Sequence, residues 1–143
     1  MKRSPELAAL SRDHHQTLTA ALRLRRATPD DVHEAVAHFL DFWNRHGQRH
    51  FAIEEELLLP ALPDDEGWAE AADRVRDEHA EIRARAAELA TAQPVEAARE
   101  LGQLLRDHVR YEERHLFVLL EQRLAAEALA RLGRQLAAAE RTG

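Results

Sequence analysis

Apolar residues recur at spacings of three and four along most of this 143-residue chain, and prolines interrupt the pattern at only a few places. This spacing places the apolar side chains on one face of an α-helix. The breaks near Pro29, Pro60 and Pro94 leave four segments of roughly 25 residues, and none of them alternates with the period of a β-strand. In the first segment the inward stripe is expected to consist of Leu7, Leu10, Leu18, Ala21 and Leu22. The chain is therefore predicted to be all-α, an up-down-up-down four-helix bundle with a short C-terminal helical extension.

The length of the chain fits one domain with its own core. We expect a single domain over residues 1–143, with the bundle over about 5–122 and the C-terminal helical segment over about 124–141. Gly133 is expected to interrupt that last segment, because glycine weakens a helix interior.

A six-residue pattern, His-x-x-x-Glu-Glu, occurs at residues 50–55 and again at 108–113, each time leading into leucines. On a helix, a histidine and a glutamate four residues apart lie one above the other on the same face. An imidazole and a carboxylate placed in this way can bind one metal ion or two adjacent ions. Two copies inside leucine-rich helices favour a shared metal site over a chance repetition.

Nine histidines are many for a helical chain, because histidine is not a favoured helix former. At about 100° per residue, four of them and two glutamates turn toward the apolar stripes. The predicted metal-binding residues are His14, His50, Glu54, His79, His108 and Glu112. His33 is expected to face outward. Whether His15, His46 or His115 also binds the metal is left open, since the last two lie on the stripes about one turn beyond this set.

The same geometry makes predictions for the residues that follow each motif. Leu57 is expected in line with His50, and His115 in line with His108, each within about 20°. Glu113 lies about 140° from His108 and is expected to face away from the site.

Burying these six side chains without partners would be strongly unfavourable. A pair of bound cations removes that penalty, whereas hydrogen-bonded His–Glu pairs are the metal-free alternative. Imidazole and carboxylate donors suit iron, manganese or zinc. Because the set offers only about four donor atoms to each of two ions, coordination positions remain open for O2, peroxide or nitric oxide.

Composition excludes several other classes of protein. The chain has no cysteine, which excludes disulfides, thiolate zinc sites and iron–sulfur clusters. Its formal charge of −6, with basic and acidic residues interleaved, argues against nucleic acid as a partner. It contains no apolar run of about 18 residues and no secretory signal pattern, so no membrane partner and a cytoplasmic location are expected. The oligomeric state is left open.

Four stretches of the chain together resemble the hemerythrin-like HHE cation-binding family. They are residues 10–15, 50–60, 78–83 and 108–117, and the resemblance extends over about residues 6–122. It implies a hemerythrin-like bundle that binds a non-haem di-iron centre between its helices. The resemblance also implies that the four inward histidines are terminal ligands and that the two inward glutamates bridge the ions.

The chain departs from the oxygen-carrying members of that family in two places. Those members have a second histidine on the third helix, where this chain has Arg83. They also have an aspartate five residues after the fourth-helix histidine, where this chain has Glu113 and offers Glu112 instead. Both differences argue against reversible oxygen carriage.

We therefore expect a non-haem di-iron protein that binds or responds to O2, peroxide, nitric oxide or iron. A di-iron oxidase or peroxidase-like enzyme is the first alternative, and no catalytic residue is assigned. A ferritin-like site is less favoured, because its Glu-x-x-His motif occurs only once in this chain, at residues 112–115. A metal-free helical interaction module is the remaining alternative.

Overall fold

The computed structural model describes residues 3–63, 65, 67–92 and 94–141. Every regular element in those ranges is helical, so the all-α prediction is confirmed. The α-helices are α1 (Ala8–Arg25), α2 (Val32–Phe42), α3 (Gln48–Ile53), α4 (Trp68–Thr91), α5 (Val95–Tyr111), α6 (Phe117–Arg123) and α7 (Ala126–Arg141). Short 3₁₀ turns lie at Pro5–Leu7 and Leu59–Ala61. None of the helices described has the length and apolarity needed to cross a membrane.

Three π-helical turns join these α-helices into longer rods. They lie at Trp43–Gly47, Glu54–Leu58 and Glu112–Leu116. As a result, α2 and α3 continue through the first two turns as one rod, and α5 and α6 continue through the third as another. We refer to α1, α2–α3, α4 and α5–α6 as the first to fourth rods. Two of the turns begin at the glutamates of the repeated motif, and π-turns occur frequently at functional sites.

The π-turns change which side chains face inward after each motif. The sequence places Leu57 and His115 on the inner face, whereas the structure buries Leu58 and Leu116 completely and leaves His115 exposed. A π-turn closes its hydrogen bonds from residue i to residue i+5 and so contains about one extra residue. The apolar stripe therefore continues one position later than uniform helical spacing predicts.

The first and fourth rods run side by side in opposite directions. Arg3, ahead of α1, donates to Glu121 near the end of α6 at 2.7 Å. Toward the end of α1 the backbones approach closely, since a Cβ at Gly102 of α5 would lie 2.6 Å from the carbonyl oxygen of Ala21. Only glycine allows that separation here.

Two apolar clusters fill the interior, and a polar layer separates them along each rod. The first includes Phe39, Trp43, Ile82, Leu101 and Leu105. The second includes Leu7, Leu58, Trp68, Phe117 and Leu120. Between the clusters, α1 buries His14 and Thr17, and α4 buries His79. Along the other two rods the repeated motifs occupy that level, so the candidate site lies in the middle of the molecule.

The predicted stripe of the first segment is buried at Leu7, Leu10 and Ala21 but not at its other two leucines. Leu18 and Leu22 are 36% and 39% exposed, so the expectation that they face the core is wrong. At that level α1 buries Ala21, as predicted, together with Ala20, which lies outside the predicted stripe. Small side chains are required on that face because the fourth rod approaches the backbone of α1 at Gly102.

α7 packs against the 3₁₀ turn ahead of α1 and against the π-turn that begins at Glu54. It is continuous, so the expectation that Gly133 interrupts it is wrong. The missing Cβ of Gly133 has a packing role, because a Cβ there would lie 2.9 Å from the side chain of Glu6. Leu132 and Leu136 bury the apolar side of α7.

Candidate metal centre

The structure brings all six predicted residues to one buried region between the four rods. We call them the inner residues: His14, His50, Glu54, His79, His108 and Glu112. His50 is the most exposed of them at only 7%, and His79 and both glutamates are 0% exposed. Six polar side chains from four rods thus meet at a level where an apolar core would otherwise continue.

Each inner glutamate spans two pairs of imidazoles. Glu54 places Oε2 3.1 Å from His50 Nε2 and Oε1 3.2 Å from His79 Nε2. Glu112 places Oε1 3.0 Å from His14 Nε2 and Oε2 3.0 Å from Nε2 of the remaining histidine, on α5. Each glutamate therefore directs one oxygen toward the imidazoles of α1 and α3 and the other toward those of α4 and α5. In both groups of two imidazoles and two carboxylates, the candidate ligand atoms lie within 4.8 Å of one another.

These atoms are close together, yet several of them lack hydrogen-bond partners. Among the residues described, no partner in hydrogen-bond geometry reaches either oxygen of Glu54, either oxygen of Glu112, or Nε2 of His50. Buried carboxylates left without partners are strongly unfavourable. Cations bound between the imidazoles and the carboxylates would supply the missing partners, so the donor set fits a metal site.

A second ring of carboxylates lies behind the imidazoles, and each comes from a rod adjacent to that of its histidine. The pairs are His14 with Glu113 at 2.6 Å, His50 with Asp13 at 3.2 Å, His79 with Glu55 at 2.7 Å and His108 with Glu78 at 2.8 Å, all measured to Nδ1. An ionised carboxylate can only accept a hydrogen bond, so each Nδ1–H donates and Nε2 keeps its lone pair for a metal. We call these four acidic residues the outer carboxylates.

None of the outer carboxylates is among the predicted site residues, and the expectation for Glu113 is wrong, because it turns toward His14. A signal for them exists in the sequence, since each is the immediate neighbour of an inner residue. The doublets are Asp13-His14, Glu54-Glu55, Glu78-His79 and Glu112-Glu113. Neighbours on a helix point about 100° apart, so one faces the centre while the other faces the groove to the next rod.

Three of the four outer carboxylates are held by an arginine. The pairs are Arg83 with Glu55 at 2.9 Å, Arg74 with Glu78 at 3.1 Å and Arg3 with Glu113 at 3.4 Å. Arg83 uses both of its terminal nitrogens on Glu55. The residue that stands where oxygen carriers have a histidine therefore stabilises the outer ring.

Aromatic rings stack on two of the inner imidazoles. Phe51 stacks on His79 with ring centroids 3.7 Å apart and an interplanar angle of 5°. Trp43 packs edge-on against Phe51 at 5.2 Å. Phe117 stacks on His14 at 5.6 Å. These rings exclude water from the centre, and charges interact more strongly where water is excluded.

The charges of the inner residues depend on one another. Burial opposes protonation of His50 and His108, but the carboxylates beside them raise the pKa of His50 to about 9 and that of His108 to about 10. Burial and the charge of Glu54 oppose ionisation of Glu112, but His108 holds the pKa of Glu112 at about 2. In the absence of a metal the imidazoles hold protons, and a metal must displace those protons to bind.

The three histidines that the sequence leaves open lie at the surface. His15, His46 and His115 are all exposed. His115 stacks on Tyr111 with centroids 5.2 Å apart, so it does not complete a ferritin-like Glu-x-x-His site. His46 lies at a cavity of about 320 Å³ whose wall includes His50.

Comparison with known proteins agrees with this geometry. The model of the hemerythrin HHE cation binding domain matches residues 7–120. The match covers well over half of the chain and contains all six inner residues, whereas α7 lies beyond it. No curated protein and no solved structure matches the chain. The chain therefore belongs to the hemerythrin HHE cation-binding domain family.

Proposed function

We propose that the inner residues bind two iron ions as a non-haem di-iron centre that binds or responds to O2, peroxide, nitric oxide or iron. His14 and His50 would hold one ion, His79 and His108 would hold the other, and the two inner glutamates would be shared between them. Manganese and zinc are the alternative metals for this donor set. The proposal includes an up-down-up-down order of the four rods, a single domain and a cytoplasmic location.

The observation that carries this proposal is the division of each inner glutamate between two imidazole pairs. A carboxylate with one oxygen toward each pair suits two adjacent ions better than a single one. The unpartnered oxygens of Glu54 and Glu112 support the same interpretation.

When bound, two adjacent redox-active ions supply electrons and open coordination positions to a small ligand. The protein's own residues perform the remaining tasks. The outer carboxylates accept from each Nδ1–H, which orients the rings and makes Nε2 a stronger donor. Phe51 and Phe117 keep water away from the imidazoles that they stack on.

Metal analysis and an optical spectrum of the purified protein test this proposal. We expect about two iron ions per chain and the near-ultraviolet absorption of a ferric pair after exposure to air. Glu54→Ala and Glu112→Ala should each sharply reduce the bound iron. Glu56→Ala is the matched control, because Glu56 lies in the same π-turn as Glu54 but is exposed. A single ion per chain, or equal iron loss in all three variants, would refute the dinuclear centre.

Repeated turnover separates a binding protein from an enzyme. The coordination positions that four donors per ion leave open also suit an oxidase or peroxidase-like activity. Such an enzyme would consume O2 or peroxide continuously with an added reductant, whereas a sensor or store would react once per centre. A metal-free interaction module would bind no iron, and added ferrous iron would not raise its melting temperature.

A further inference from the structure

One of the four outer carboxylates differs from the others. Asp13 lies 3.2 Å from His50 Nδ1, whereas the other three lie 2.6–2.8 Å from their imidazoles. Its side chain is 45% exposed, against 19–28% for the others. Within the described ranges no arginine forms an ion pair with it. The hydrogen bond behind His50 is therefore the least constrained of the four.

Asp13 approaches a second carboxyl group where the other outer carboxylates meet an arginine. That group belongs to Glu140, near the end of α7. Both acidic residues line the cavity of about 320 Å³ together with His50. This cavity gives solvent a path to one imidazole of the centre, whereas Phe51 covers His79.

α7 lies outside the matched HHE domain, so Glu140 comes from an element added to the metal-binding bundle. Two contacts fix the end of α7 at the cavity. Arg49 of the second rod donates to the carbonyl oxygen of Ala139, and Leu136 is 1% exposed in the core. The position of Glu140 is therefore set by the packing of α7.

We propose that Glu140 is a positioning residue that makes the ion bound by His14 and His50 the more readily released of the two. Its carboxyl group takes the place that an arginine has at the other outer carboxylates, so Asp13 holds the His50 ring less firmly. Outer-shell partners typically change metal affinity by ~10–100-fold. This inference rests on the proposed dinuclear centre and concerns how that centre loads and loses its metal.

Release of iron to a coloured ferrous chelator, from the ferrous protein under anaerobic conditions, tests the inference. We expect two phases of equal amplitude that differ in rate by ~10-fold or more. Glu140→Arg gives Asp13 the kind of partner that the other outer carboxylates have, and should slow the fast phase by ~10-fold while the slow phase stays unchanged. Glu140→Gln replaces the carboxyl group beside Asp13 with a neutral amide of the same shape and should slow the fast phase less.

Two variants complete the design. Glu127→Gln, an exposed glutamate on the same helix, should change neither phase. Arg83→Ala frees Glu55 behind His79 and should accelerate only the slow phase. If Glu140→Arg fails to fold, judged by its circular dichroism and melting, Glu140→Gln decides the test.

Equal release rates for the two ions would overturn the inference, as would a fast phase that both Glu140 variants leave unchanged. A parallel change in both phases would show that Glu140 acts only on general stability, and would also overturn it. Protein that binds fewer than two iron ions would instead refute the proposed centre, so the two failures are distinguishable.

Discussion

Replacement of Phe51 by alanine should destabilise the fold and uncover His79. Phe51 is 3% exposed, stacks on His79 at 3.7 Å and packs edge-on against Trp43 at 5.2 Å. Truncation of a buried phenylalanine removes its transfer free energy and leaves a cavity, which together typically reduce the free energy of unfolding by ~3–5 kcal/mol. Domains of this kind are stable by about 5–15 kcal/mol. The variant should therefore fold, with a large part of its stability lost.

Urea unfolding of the metal-free protein measures this loss without the contribution of bound metal. Phe42→Ala is the control, because Phe42 is only partly buried against the same apolar cluster, and we expect it to lose about 1 kcal/mol. In the iron-loaded protein, Phe51→Ala should also accelerate release of the ion bound by His79, since water then reaches that ring. A loss no larger than that of Phe42→Ala would refute the structural role of the Phe51–His79 stack.

Two further predictions concern pH and backbone packing. In the metal-free protein the pKa of His50 is raised to about 9 and that of His108 to about 10. Protonation of these two imidazoles therefore stabilises the folded state fully below their unfolded pKa of about 6.5. This stabilisation is lost as the pH rises through the folded pKa values. The urea midpoint of the metal-free protein should therefore decrease as the pH is raised from about 7 to about 10. Bound metal should remove this decrease. Equal midpoints at the two pH values without metal would contradict the prediction. Gly102→Ala should lower the free energy of unfolding by ~1–3 kcal/mol, because the new Cβ would lie 2.6 Å from the Ala21 carbonyl oxygen. This clash should outweigh the higher helix propensity of alanine. Thermal melts beside Gln103→Ala, at an exposed neighbouring position, check this, and a stabilised Gly102→Ala would show that the rods do not approach so closely.

Helical spacing could predict the inner residues of the two motifs because the backbone is α-helical from each histidine to the residue before its glutamate. Glu54 and Glu112 are the first residues of their π-turns. Beyond them the same spacing fails, and Leu58 rather than Leu57 is fully buried. The local spacing of apolar residues does not predict a π-turn that begins at a buried glutamate. That turn is a consequence of tertiary packing around the site.

The error on α1 has a different origin. Leu18 and Leu22 have the right spacing for a core stripe, yet they are exposed while Ala20, outside the predicted stripe, is buried. Periodicity identifies an apolar face by the size and number of its side chains. It does not register a face that is small because a neighbouring backbone, here at Gly102, must come close.

The outer carboxylates explain why acidic residues occur as neighbours of the inner residues. Asp13 links the first rod to the second, Glu55 the second to the third, Glu78 the third to the fourth, and Glu113 the fourth back to the first. Each rod therefore contributes both a histidine and an outer carboxylate to one closed ring. Because a rod that slides or rotates must break a hydrogen bond on each side, the ring fixes the register of all four rods at the level of the centre. The doublets thus couple the folding of the bundle to the orientation of its ligands, and isolated histidines on the same stripes would supply ligands without that coupling.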